Sequence, residues 1–329
     1  MQLANNVSHS TWSVYSMIKK IVYVFISIIL SLISTTLSAD SSTRIVHHAL
    51  GVTVIEGKPK RIVSLFQGAT DTLVALDIKP VGVVESWTQK PMYEYLRPSL
   101  EGVHYVGLET QPSLEDIALL QPDLIIATRF RNEKTYSLLS QIAPTVALED
   151  VYDFRQTLKT VGEAVGEPEK ANQILTQWNN RVAQTRSKLQ AKFGQQDLPK
   201  VSLLEFRDDH VRAYSPNSFA GSILSDLGFD WSAATKNETW ALKKLSSKES
   251  IPLIDANIFF VFLRDKPTTQ QNYQAWTSHL LWKHTQADKT GDIYKVDSVS
   301  WNLAGGIISA NHVLDDINKL FITDDRDNK

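Results

Sequence analysis

Four arginines stand where chemistry with anions is expected. Arg129 and Arg131 follow the apolar run 124–127, Arg264 follows the run 258–263, and Arg207 follows a strand-like run ending at Phe206. A guanidinium offers a planar fork of donors that stays charged at physiological pH and grips carboxylate-like oxygens in pairs. Open α/β sheets hold their ligands at the carboxyl ends of strands, where these arginines fall. Two glutamates recur on a common plan: Glu115 and Glu249 each open a short helical segment that leads into one of these strands. In each copy a serine, Ser113 or Ser246, precedes by three residues an acid, Asp116 or Glu249, which is the spacing of a capping box. Both glutamates therefore also read as helix N-terminal acids that favour the macrodipole. The repeat predicts two lobes built on one plan.

The elements that must hold these residues can be read along the chain. From Arg61, strand-like runs at 61–66, 81–86, 104–107, 124–127 and 145–148 alternate with helical segments at 69–76, 113–120 and 133–141. Such alternation indicates parallel βαβ units. Between Phe154 and Phe193 the strand signals stop, and one or two helices are expected, the second opening at Pro168, a residue suited to a first turn. Ala171, Ile174, Leu175, Trp178, Val182 and Leu189 fall on one helical stripe. A helix of about 25 residues would be nearly 40 Å long, a spine rather than a flexible linker. Alternation resumes with strands at 201–206, 211–214, 258–263 and 293–296, a helix at 218–227 and a closing helix at 304–321. The predicted architecture is α/β, with two Rossmann-like lobes, 40–152 and 196–329, joined through a linker, 153–195, by one long interdomain helix.

Lys19 and Lys20 precede an almost unbroken apolar stretch, 21–33, and a small-residue end suits signal-peptidase cleavage after Ala39. The stretch is too short to favour a membrane span, which takes about 20 apolar residues. An uncleaved anchor is the alternative, and Met17 competes with Met1 as the start. Residues 1–39 are expected to be a signal peptide, and the mature chain a soluble periplasmic protein. The sequence has no cysteine, so it holds no disulfide framework and no lipid-bearing Cys. A net charge of −2 argues against a nucleic-acid partner.

Five segments, in this order, resemble one family: Pro59-Lys-Arg-Ile-Val-Ser64, Val106-Gly-Leu-Glu-Thr-Gln-Pro-Ser-Leu-Glu115, Gln121-Pro-Asp-Leu-Ile-Ile126, Gln141-Ile-Ala-Pro-Thr-Val146 and Trp301-Asn-Leu-Ala-Gly-Gly306. They are similar to segments of the periplasmic binding proteins of iron–siderophore and cobalamin ABC importers, across essentially the whole mature chain. The fourth and fifth look most like the branch that takes ferric hydroxamate and mixed citrate–hydroxamate siderophores. The resemblance implies the class III binding-protein fold, with a ferric siderophore as ligand and a membrane permease of an ABC transporter as partner. It implies no enzymatic activity, no cofactor and a monomer.

By the same resemblance, Glu115 and Glu249 are the glutamates that dock on arginines of the permease. A ferric siderophore presents a ring of oxygens, often with net negative charge, around iron that the chelator already saturates. The protein needs cations and aromatic faces, and no metal ligands of its own. The expected ligand residues are Arg131, Arg264, Arg129 and Arg207, with Trp240, Trp87 and Trp301 as platforms and Tyr214 and Phe219 beside them. Trp178 and Trp282 are expected in the core. Where several relatives carry an arginine, this chain has Glu109. Either Arg129 or Arg131 supplies the missing charge, or the ligand is more cationic, such as a ferrioxamine with a free amine.

Other ligands fit the same plan. A zinc or manganese site needs three or four converging ligands, and His47, His48, His104, His210, His279, His284 and His312 are scattered. Haem would take an axial Tyr105, His210 or Tyr214, and cobalamin is open on fold grounds alone. An exported hydrolase is the reading from another class, but Ser222 lacks a Gly-x-Ser-x-Gly setting and no metalloprotease helix is present.

Overall fold

The computed structural model describes residues 43–194, 198–264 and 266–323. The proposed signal peptide lies outside them. A hairpin of β1 (Arg44–His48) and β2 (Gly51–Ile55) comes first, with Val46 and Ile55 turned inward. Strands β3 (Ile62–Ser64), β4 (Gly82–Glu85), β5 (His104–Leu108), β6 (Gln111–Pro112), β7 (Leu124–Thr128) and β8 (Thr145–Leu148) then form one sheet in the order β6-β5-β4-β3-β7-β8. All neighbours are parallel except β5 and β6. The short apolar runs β3, β7 and β8 are buried throughout, as strands of a covered parallel sheet are. The chain winds outward from β3 to β5 and then crosses to β7, so the order reverses at β3, the kind of point where such sheets bind ligands.

The second sheet contains β9 (Lys200–Phe206), β10 (Val211–Tyr214), β11 (Asp230–Trp231), β12 (Leu242–Leu245), β13 (Ile258–Leu263) and β14 (Ile293–Lys295). Its order is β12-β10-β9-β13-β14, with β11 alongside the start of β9. Here β10 runs antiparallel to both β9 and β12, while β13 is parallel to β9 and β14. The two sheets are thus related but not identical.

Between them runs the Pro168–Phe193 helix of 26 residues, about 39 Å at 1.5 Å per residue. Of its expected stripe, Ala171, Trp178, Val182 and Leu189 are buried and Ile174 and Leu175 half-buried against them, and Trp178 meets Phe154 edge-on at 5.2 Å. One hydrophobic cluster is continuous from Ile62 and Leu73 of the first lobe, through Trp178, to Leu203 and Phe260 of the second. The closing helix, Ile307–Phe321, is a second strut. Asn318 Nδ2 donates to Thr185 Oγ1 of the spine at 3.0 Å, and Lys192 Nζ donates to the Phe321 carbonyl at 2.6 Å. Among the described residues no helix is long and apolar enough to cross a membrane.

Candidate functional site

A cavity of about 400 Å³ opens between the lobes, within the range of ligand pockets. The first sheet builds its wall with the residues that follow each parallel strand. Gln67 and Gly68 follow β3, Trp87 follows β4, Glu109 follows β5, Phe130 and Arg131 follow β7, and Tyr152 follows β8. Glu109, only 4 % exposed, accepts Arg131 Nε at 3.3 Å and the Gln67 backbone N–H at 3.3 Å. Burial raises its pKa, and the charge of Arg131 and the hydrogen bonds oppose that rise. Gln67 spends its amide N–H groups on the Val84 and Glu85 carbonyls, which leaves its buried Oε1 without a partner in the cavity wall.

The second sheet contributes three arginines. Side chains alternate along a strand, so Glu205 and Arg207 share a face of β9 and its continuation, and Arg212 and Tyr214 share a face of β10. Arg212 is the register partner of Glu205, and Phe262, two residues before Arg264, pairs with Glu205 from the other side. The alternation therefore brings Arg207, Arg212, Tyr214 and Arg264 together around one carboxylate. With Asn302, Leu303, Ala304 and Gly305 they complete the lining. Four arginines against Glu109 and the underlying Glu205 leave the walls with net positive charge.

An aromatic cluster spans the rim. Trp240 of the second lobe lies 5.8 Å from Phe130 and 6.3 Å edge-on from Tyr152, both of the first. Arg131 stacks 4.6 Å over Phe130 and 5.6 Å from the Trp87 ring, contacts that hold the guanidinium by its face while its Nε edge is taken by Glu109.

The structure brings together Arg131, Arg207, Arg264, Trp87, Trp240 and Tyr214 around this cavity. Three expected ligand residues lie elsewhere. Arg129 opens the short helix Arg129–Asn132, in which residues two apart face different ways, so Arg131 turns to the cavity while Arg129 ion-pairs with Glu149 and Glu133 at 3.2 and 3.5 Å. Of the two arginines expected to supply the charge missing at position 109, Arg131 lines the cavity, where it also pairs with Glu109, and Arg129 does not. Trp301 is 1 % exposed, lies 5.0 Å from Phe260 and donates Nε1–H to Asp316 at 2.8 Å, so it anchors the turn whose next residue, Asn302, reaches the cavity. Phe219 starts the Phe219–Leu227 helix on its inward face and meets Phe154 edge-on at 5.5 Å in the core.

Glu115 and Glu249 are both exposed and lie outside the cavity lining. The cap expected of Ser113 is present, its hydroxyl accepting the Asp116 N–H at 3.2 Å. The cap expected of Ser246 is not: the second copy is a 3₁₀ turn, Lys248–Ile254, and the tighter winding makes Ser247 the cap, accepting the Glu249 N–H at 3.3 Å. Trp178 and Trp282 are buried as expected.

Sequence reasoning missed Glu205, Arg212, Phe130, Tyr152, Gln67 and Asn302. Counting by twos back from Arg207 and from Tyr214 would have put Glu205 and Arg212 on the arginine face. Nothing local marks Gln67 or Asn302. Among the described residues no three His, Cys, Asp or Glu side chains converge to hold a metal ion.

The chain belongs to the periplasmic binding protein family, whose model matches residues 62–299. Two curated relatives are similar over most of their length. The achromobactin-binding periplasmic protein of Dickeya dadantii is 52 % identical over 260 residues, 79 % of this chain and 85 % of the relative. The probable siderophore-binding lipoprotein YfiY of Bacillus subtilis is 40 % identical over 297 residues, 86 % of this chain and 89 % of the relative. Among solved structures, Staphylococcus aureus SirA complexed with staphyloferrin B superposes with a TM-score of 0.81 at 41 % identity, covering 84 % of this chain and 98 % of SirA. The fold expected from sequence, two α/β lobes on one long helix, is the fold of these neighbours.

Proposed function

We propose that the cleft captures a ferric siderophore in the periplasm and that the loaded protein delivers it to the permease of an ABC importer. The observation that carries this reading is the set of Arg131, Arg207, Arg212 and Arg264 around one cavity, rimmed by Trp87, Phe130, Tyr152 and Trp240. A ferric chelate with carboxylate or hydroxamate oxygens is an anion on its oxygen-bearing face and apolar along its arms, and this lining complements both. The names of the relatives, which specify achromobactin, staphyloferrin B or siderophores in general, support the same class. Iron is cargo, held by the chelator, and the protein acts as a binding protein without a cofactor.

The remaining parts of the reading are that residues 1–39 direct export and are removed near Ala39, that the mature protein works as a monomer, and that Glu115 and Glu249 dock on the permease. Both glutamates are exposed, and neither has an ion-pair partner among the described residues. The test is retention: purified protein is mixed with a coloured ferric siderophore, filtered through a membrane that passes the chelate alone, and the retained absorbance is measured. Retention of one chelate in a one-to-one ratio supports the reading, and free passage of every hydroxamate and citrate-type chelate contradicts it.

A further inference from the structure

Glu205 is 2 % exposed and sits behind the arginines of the second wall. Its Oε1 accepts Arg207 Nη1 at 2.9 Å and lies 3.4 Å from Arg264 Nε, a buried nitrogen with no hydrogen bond of its own. Its Oε2 accepts the Tyr214 hydroxyl at 2.8 Å and lies 3.5 Å from Arg212 Nη1. Tyr214 in turn accepts Asn302 Nδ2–H at 3.0 Å, and the carbonyl of the next residue, Leu303, accepts the Tyr93 hydroxyl of the first lobe at 3.1 Å. Three guanidinium groups crowded together repel one another, and a central carboxylate offsets that repulsion. Each guanidinium has five N–H donors, whereas the carboxylate has about four acceptor sites, one of them used by Tyr214, so most donors remain for a ligand.

We propose that Glu205 is the positioning residue of the cleft. It gathers Arg207, Arg212 and Arg264 into one fixed donor array and, through Tyr214 and Asn302, ties that array to the crossing segment that contacts the opposite lobe. The inference rests on the reading that the cleft binds an anionic ferric chelate, and it adds a residue that touches no ligand. Simple charge and positioning predict opposite signs. Removing a negative charge behind an anion site should tighten binding if Glu205 only dilutes the positive potential. If Glu205 positions the arginines, the same change weakens binding in spite of the added net positive charge.

The experiment measures Kd by fluorescence for wild type, Glu205→Gln and Glu205→Asp with ferric aerobactin, ferric citrate, ferrichrome and ferrioxamine B, at low and high salt. The expected result is a loss of at least tenfold for Glu205→Gln with the chelate that wild type binds most tightly. Glu205→Asp, which keeps the charge but shortens the reach, should also bind more weakly, and the salt dependence of Glu205→Gln should be shallower than that of wild type. A structural role without positioning would lower thermal stability and leave the salt dependence of the folded fraction unchanged. If Glu205→Gln does not fold, Glu205→Asp and Tyr214→Phe carry the test. Equal or tighter binding by the folded variants overturns the inference and leaves the siderophore reading standing. Failure of wild type to bind any of the four chelates overturns both.

Discussion

Asp71, on the Gln67–Ala75 helix of the first lobe, accepts the backbone N–H of Ser309 at 3.0 Å from a residue 238 positions further along the chain. Its other oxygen accepts the Ile308 N–H at 2.8 Å, and Tyr95 donates to the carboxylate at 2.7 Å. The last helix therefore takes its cap from the opposite end of the sequence, in place of the side chain that Gly306 lacks. A Cβ at Gly306 would lie 2.3 Å from this carboxyl, so the glycine is required by the close approach. Because Asn302–Gly305 line the cleft, this contact fixes one wall of the site against the other lobe.

Burial raises the pKa of Asp71 to about 6, against the opposing hydrogen bonds and the nearby His312. A carboxyl whose folded pKa lies above its unfolded value favours the folded state when protonated. That contribution is complete below about 3.9 and is lost as pH rises through about 6, with a span of up to roughly 3 kcal/mol. The melting temperature of wild type relative to Asp71→Asn should thus rise as pH falls from 8 to 5. A gap that stays constant, or that grows toward pH 8, would contradict the role assigned to Asp71.

Trp240 is half exposed at the rim and touches Phe130 and Tyr152 across the cleft. Trp240→Ala should leave the melting temperature nearly unchanged, weaken binding of the chelate by about 5- to 30-fold, and remove much of the fluorescence response. Titration of the variant beside wild type checks both effects.

Arg264 is held by charge alone at its Nε, leaving its fork available. Arg264→Lys keeps the charge and loses the planar pair of donors, so calorimetric titration should give a Kd at least tenfold weaker, with the fold intact by circular dichroism. Binding equal to wild type would mean that Arg264 contributes only field.

Reversing both surface glutamates, Glu115→Lys with Glu249→Lys, should abolish iron-dependent growth on the cognate siderophore while the purified variant keeps its affinity. A large loss of affinity would make these residues structural rather than docking groups.

Trp178 fills the junction of spine and lobes beside Phe154. Trp178→Ala should cost about 3–5 kcal/mol in urea unfolding.

The strands that deliver the cleft residues were legible because β3, β7, β9 and β13 are apolar runs bounded by turns, and such runs declare themselves locally. Arg207 and Arg264 were legible for the same reason, as the first cations after those runs, whereas after β7 the first cation, Arg129, turns away and the second, Arg131, lines the cavity. Glu205 was passed over because a carboxylate inside an apolar strand gains its role from the register that sets Arg212 beside it and from Arg264 on a distant strand, although the alternation from Arg207 already placed it on the same face. Phe219 and Trp301 misled because aromatic residues beside turn signals suit a rim and a core equally, and tertiary packing chose the core. The β1–β2 hairpin escaped because its alternation is short and half exposed. The last helix starts at Ile307 rather than 304 because Gly305, at φ +70, and Gly306 carry the approach to Asp71, a partner that no local pattern reveals.

The most direct test of the central claim is titration of the purified mature protein, followed by tryptophan fluorescence. The panel is ferric aerobactin, ferric dicitrate, ferrichrome and ferrioxamine B, with haem, cobalamin and Zn²⁺ beside them. The arginine-lined cleft predicts saturable, submicromolar quenching by an anionic ferric chelate, weakened by salt, and none by Zn²⁺. Silence with every siderophore together with saturation by haem, cobalamin or zinc would contradict it.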